Sequence, residues 1–260
     1  MGTCYNRRMA KPLIVGNWKM YVNSLADGKK LLKDIDHSFP RGVKADVVVC
    51  PPIPLAVVLR RAYAGRRISF GTQDSFWEQE GPFTGATSPR ALAESGIEYV
   101  ILGHAERRML GDTNEIVAKK VSAALLAGLR PIVCVGENIR DEEGKHFATL
   151  KTEIVESLSR TASASAGRIA IAYDPLWAIG AKEPAPPRVA AQSIIFIRKT
   201  LAEMWGREQA LKTRIIYGGS VDSEHAVLFA SEKSIQGLLP GRASVDAKEF
   251  CAIIKEFSRL

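Results

Sequence analysis

Eight short apolar runs, with helix-patterned segments between most of them, are the feature that most constrains this chain. The runs fall at residues 13–16, 46–50, 68–72, 99–103, 131–135, 169–173, 214–217 and 237–239. Short apolar runs bounded by turn residues read as buried strands. Residues 24–37, 114–128, 145–159 and 187–205 carry helical periodicity and helix-friendly composition. Gly128 stands where a helix C-terminal glycine belongs, just before the next run. Strands alternating with helices imply a parallel sheet, because parallel neighbours need a crossover between them. Eight such units are the number that closes a barrel. The expectation is an α/β fold, a (β/α)8 barrel in a single domain over residues 11–260. Residues 1–10 read as an N-terminal extension, disordered or left from expression, with Met9 as an alternative start. An open doubly wound sheet is the structural alternative, but no GxGxxG follows the first run to support a dinucleotide site. The stretch SRTASASAG, residues 159–167, reads as a loop.

Polar residues and glycines gather where the runs end. Asn17 and Lys19 follow the first, Gln73 the third, His104 and Glu106 the fourth, and Glu137 the fifth. Asp174 follows the sixth, Gly218, Gly219 and Ser220 the seventh, and Gly241 and Arg242 the eighth. In a barrel all these positions converge on the C-terminal face, where sites of this fold lie. Singly each has an ordinary explanation: Asn17 caps a turn, Lys19 is solvated, His104 is a hydrogen-bonded structural histidine. Their joint placement asks for a site. Asp174 is the sharpest case. In IAYDPLWAIG, residues 171–180, it ends an apolar strand and Pro175 turns the chain. A carboxylate there costs free energy unless something uses it.

Composition narrows the class. Hydrophobic residues make up 46% and charged residues 25%, enough for a sizeable core. No apolar run approaches the ~20 residues of a membrane helix, and the opening MGTCYNRRMA lacks the apolar block of a signal peptide. No membrane partner is expected. The net charge of +8 attracts anions, phosphorylated metabolites included. With no long Lys/Arg run carrying interleaved aromatics, and no zinc or helix-turn-helix signature, nucleic acid is not an expected partner. Cys4, Cys50, Cys134 and Cys251 form no CxxC pair, and Cys50 and Cys134 sit inside apolar runs. They read as reduced core thiols, which favours a cytoplasmic setting.

The motifs resemble those of the triosephosphate isomerase family. GNWKM (residues 16–20), FTGATSP (83–89), YVILGHAERR (99–108), PIVCVGE (131–137), AYDPLWAIG (172–180) and YGGSV (217–221) stand in that family's order and spacing. The resemblance implies a homodimeric TIM barrel that needs no metal and no organic cofactor. It implies interconversion of dihydroxyacetone phosphate and D-glyceraldehyde 3-phosphate, a step of glycolysis and gluconeogenesis, with a small phosphorylated sugar as substrate. By motif position Asp174 becomes the base, His104 a neutral electrophile held near a helix start, Lys19 a positive charge for phosphate and enediolate, and Asn17 a hydrogen-bond donor. Glu106 supports His104. Gly180, Gly219, Ser220 and Gly241 match the phosphate-binding positions. Pro175, Leu176, Trp177, Ala178, Ile179, Gly180, Ala181, Lys182 and Glu183 match the family's mobile lid. Thr84 matches the loop tip that enters the partner subunit.

The departures are as specific as the matches. The family's base is glutamate, and here it is Asp174, shorter by one methylene, which predicts a slow enzyme. Ala181-Lys182-Glu183 replaces the usual Thr-Gly-Lys of the lid. The paired glycines after the eighth strand appear as Gly241-Arg242 behind Pro240, so Pro240 removes a donor and Arg242 adds a charge facing phosphate or solvent. GHSERR has become GHAERR, with Ala105, and FTGE has become FTGA, with Ala86. The alternatives are an isomerase of another small phosphosugar, such as a tetrulose phosphate, and a catalytically weak paralogue that binds sugar phosphate.

Overall fold

The computed structural model of the 260-residue chain describes residues 11–141, 143–178 and 185–258. Its strands are β1 (Leu13–Asn17), β2 (Asp46–Cys50), β3 (Ser69–Thr72), β4 (Tyr99–Leu102), β5 (Arg130–Val135), β6 (Ala170–Tyr173), β7 (Arg214–Tyr217) and β8 (Gly237–Leu238). They form a closed barrel in sequence order, and β8 returns to pair with β1 in parallel. The fold is a single-domain (β/α)8 barrel.

Alternation along the strands builds two apolar layers. Leu13, Val15, Val48, Cys50, Ile101, Ile132, Cys134 and Ile216 fill the barrel interior as one cluster. The intervening Ile14, Val47, Val49, Val100, Val133, Val135, Ile171 and Ile215 pack outward against the helices. Strands buried on both faces must be apolar at every position, which is why the runs were legible as unbroken blocks. Cys50, Cys134 and Cys251 are buried free thiols, and burial pushes Cys251 up to about 11. Cys4 lies outside the described residues.

The helices begin where local chemistry permits. In α1 (Leu25–Ser38) the Ser24 hydroxyl accepts from Asp27 N–H. In α5 (Asn114–Leu126) Thr113 does the same for Ile116. Proline opens α2 (Ile53–Ala62), α3 (Pro89–Glu94) and α7 (Pro187–Trp205), where its missing N–H would be unsatisfied anyway. Gly128 sits at φ 92°, the left-handed turn expected of it. The remaining helices are α4 (Ala105–Met109), α6 (His146–Ser157), α8 (Arg207–Ala210), α9 (Ser223–Ala230) and α10 (Ala247–Phe257).

One expectation needs correction. Part of the stretch read as a loop forms a 3-10 helix, Ser163–Arg168. Ala166 is buried there, and its carbonyl accepts from the buried Thr213 hydroxyl at 3.0 Å. That long-range bond has no local sequence signal. Among the described residues no helix is long and apolar enough to cross a membrane.

Candidate active site

The loops after the strands enclose a cavity of about 700 Å³ at the C-terminal end of the barrel. Asn17, Lys19, His104, Glu106, Asp174, Gly219, Ser220, Gly241 and Arg242 all line it. Residues up to 225 positions apart in sequence thus meet around one volume.

Lys19 is the one non-glycine residue at positive φ, 45°, among the described residues. A side chain in that region is strained. The strain is held from two sides. Asn17 Oδ1 accepts from Lys19 N–H at 3.0 Å, and Gln73 Nε2 donates to the Lys19 carbonyl at 2.9 Å and the Cys50 carbonyl at 2.8 Å. The contorted turn aims the Lys19 ammonium into the cavity, where it meets Glu106 Oε1 at 2.7 Å. With its oxygen spent on Lys19, Asn17 leaves its amide donors to the cavity.

His104 is the N-cap of α4. Its Nδ1 accepts from Glu106 N–H at 3.2 Å, so the ring proton is on Nε2. Nε2 faces Asp174 Oδ2 at 3.4 Å. Glu106 therefore supports His104 through its backbone, while its carboxylate holds Lys19.

Asp174 is 2% exposed, and neither carboxylate oxygen has a hydrogen-bond partner. Burial pushes its carboxyl above the ordinary aspartate value, opposed by the nearby His104 and Lys19 and by the Ala105 N–H, which approaches it without reaching full hydrogen-bond geometry. Ala105, next to it at the start of α4, has no hydroxyl to offer. A buried, unpartnered carboxylate is costly in a fold that otherwise pairs its polar groups.

Glycines shape the other wall. A β-carbon on Gly219 would overlap the Tyr217 hydroxyl, and one on Gly241 would sit 3.3 Å from Lys19 Cε. Arg242 lies 5.9 Å from the Tyr21 ring centroid, where a guanidinium is attracted to the aromatic face. Pro240 cannot donate, but its carbonyl accepts from Asn17 N–H at 3.0 Å and completes the β8–β1 contact.

A Triosephosphate isomerase family model matches residues 12–257. The chain belongs to the triosephosphate isomerase family. It is 41% identical over 250 residues to the triosephosphate isomerase of Thermoanaerobacter sp. (strain X514), covering 95% of this chain and 99% of that protein. It is 40% identical over 249 residues to that of Carboxydothermus hydrogenoformans, covering 95% and 99%. The Moorella thermoacetica protein of the same name is 41% identical over 248 residues, covering 95% and 98%.

Of the stretch matching the triosephosphate isomerase lid, Pro175, Leu176, Trp177 and Ala178 are described. Trp177 Nε1 and the Tyr173 hydroxyl both donate to the buried Glu137 Oε1, at 3.0 and 2.8 Å. The Ser220 hydroxyl donates to the Ala178 carbonyl at 3.3 Å. Further along, Ala185 N–H donates to the Tyr217 hydroxyl at 3.1 Å. Ile179, Gly180, Ala181, Lys182 and Glu183 lie outside the described residues. Thr84 is exposed in a turn beside the half-exposed Phe83. Arg107, which follows Glu106, pairs with Asp74 at 3.2 Å and Asp112 at 3.5 Å.

The cavity also contains Tyr21, Asp222, His225, Asp246 and Glu249, which the sequence reading missed. Asp222 and Asp246 cap α9 and α10 with their side chains. A cap pattern just beyond each glycine turn was the available signal.

Proposed function

We propose that this protein interconverts dihydroxyacetone phosphate and D-glyceraldehyde 3-phosphate by proton transfer through an enediolate. The observation that carries the reading is Asp174: a buried carboxylate without a hydrogen bond, facing the protonated nitrogen of His104 beside Lys19. Removing a proton next to a carbonyl needs a base on carbon and donors at the oxygen where charge develops. Asp174 takes the proton from one carbon and returns it to the neighbouring carbon. His104 Nε2–H and the Asn17 amide hold the substrate oxygens, and Lys19 offsets the negative charge. The phosphate lies against the backbone of Gly219, Ser220 and Gly241, with Arg242 at the edge. Glycines let backbone N–H groups approach an anion closely.

Met20, Tyr21, Phe83, Met109 and Leu110 are large apolar side chains at least 41% exposed. All follow β1, β3 or β4, so they share the C-terminal side of the barrel. A homodimer that buries them, with Thr84 at its tip, fits this placement. The setting fits the cytoplasm, given buried free thiols. Sedimentation that finds a fully active monomer at assay concentration would rule the dimer out.

The deciding experiment is a coupled assay on D-glyceraldehyde 3-phosphate beside tetrulose phosphates. Turnover of the triose phosphate, even slow, supports the reading. Turnover of a tetrulose phosphate alone, or of neither, overturns it.

A further inference from the structure

An aspartate base has one methylene between backbone and carboxylate, so its reach is set almost wholly by where the backbone stands. The backbone around Asp174 rests on residues 135–137. Asp174 N–H donates to the Val135 carbonyl at 2.8 Å, and Leu176 N–H donates to the Glu137 carbonyl at 3.0 Å. Between those two bonds lies Gly136. A β-carbon there would run into the Asp174 carbonyl, so the two chains touch with nothing between them. The N–H of Gly136 donates to Glu153 Oε2 at 2.9 Å. Glu153 comes from α6 and takes no part in the cavity lining.

We propose that Glu153 is a positioning residue for Asp174: by anchoring the Gly136 N–H, it fixes the backbone segment against which the base is held. The proposal rests on the reading of Asp174 as the base. Burial pushes the Glu153 carboxyl up, with Arg108 and the Gly136 N–H opposing. An oxygen of a neutral or a charged carboxyl can accept this bond, so a neutral amide of the same shape should replace it. Loss of the anchor frees the 135–137 segment, and a displacement of ~1 Å at a reacting group can lower a rate ~100-fold. The phosphate glycines sit in the turns after β7 and β8, away from the 135–137 segment, so substrate binding should persist.

The test compares Glu153→Leu, Glu153→Gln and the unaltered protein. Glu153→Leu should lower kcat by about 10- to 100-fold with KM within about twofold, and Glu153→Gln should keep kcat within about threefold. An unchanged kcat in Glu153→Leu overturns the proposal. So does an equal loss in both variants, or a loss shared by kcat and KM. Crystal structures of the three proteins give a readout that needs no turnover. The separation of Asp174 Oδ2 from His104 Nε2 should move away from 3.4 Å in Glu153→Leu and stay in Glu153→Gln. Should the unaltered protein fail to turn over triose phosphate, the functional reading falls by itself. An Asp174 unmoved in Glu153→Leu would then overturn the positioning role separately.

Discussion

The two ends of the barrel are built from the same strands and obey different rules. At the N-terminal end the connections into the strands are glycine-turned returns: Gly42, Gly96 and Gly128 take φ of 72°, 83° and 92°. Polar side chains there serve packing. Arg214 pairs with Asp46 at 2.6 Å, and Arg198 Nη2 donates to Gln236 Oε1 at 2.6 Å. At the C-terminal end Lys19 is held in a strained backbone. Both oxygens of Asp174 and one of Glu137 are buried without a partner. Among the described residues, no carboxylate oxygen at the N-terminal end is left that way. The contrast is one of charge: Thr161 Oγ1 and Gln209 Oε1 are buried without a partner at the N-terminal end, but they are neutral, whereas the site keeps carboxylate oxygens available.

Charge divides along the same axis. The connections that enter the strands, from residues 11–12 through 231–236, hold ten Lys and Arg against three Asp and Glu. Those that leave the strands, from residues 18–24 through 239–246, hold seven against thirteen. The net charge of +8 thus sits away from the cavity. The anion-attracting reading of that charge does not carry over to the mouth, where Lys19, Arg242 and backbone N–H groups must hold the phosphate locally.

The sharpest way to break the contrast is Asp174→Asn. Turnover should fall at least ~100-fold and as much as ~10,000-fold, while the melting temperature at neutral pH rises. Because the folded carboxyl titrates above the unfolded one, the folded state holds more protons between the two pKa values. Its stability therefore falls as pH rises through that window, and the penalty stays in full above it. A neutral amide removes the charge that is poorly solvated there. A variant both inactive and less stable would show Asp174 to be part of the scaffold.

Asp174→Glu comes next. If the cavity keeps the geometry suited to a longer base, kcat should rise by up to ~100-fold. A clear fall would mean that the surrounding barrel has closed around aspartate. Ala105→Ser is gentler. A hydroxyl at the start of α4 that donates to the Asp174 carboxylate favours its charged form and lowers its pKa. The acid limb of the kcat/KM profile, which reports the ionised base, should move to lower pH. An acid limb left in place would mean that the serine does not reach the carboxylate.

The smallest effect belongs to the other end. Lys212→Gln with Lys233→Gln removes two charges from the N-terminal connections. A Debye length of about 10 Å at 0.1 M salt screens them from the cavity, so kcat/KM should stay within about twofold. A drop beyond that would show that the basic end steers substrate to the mouth.

Much of this was written in the chain. Two-sided burial makes each strand a continuous apolar block, so the number of strands and their alternation with helices follow from spacing, while the strand order and the closure were decided by the structure. Each site residue lies within a few positions of a strand end, so the run boundaries led to Asn17, Lys19, His104, Asp174 and Ser220. The 3-10 helix at Ser163–Arg168 was not legible, because its support comes from Thr213, 47 residues away in the connection that enters the neighbouring strand. Nor were the left-handed turn at Lys19, pinned by Gln73 from 54 residues away, and the anchoring of Gly136 by Glu153 on a separate helix. Sequence periodicity records which face of an element is buried, a property of neighbours along the chain. Whether a buried carboxylate finds a partner depends on which atoms arrive from other elements, and only closure of the barrel decides that.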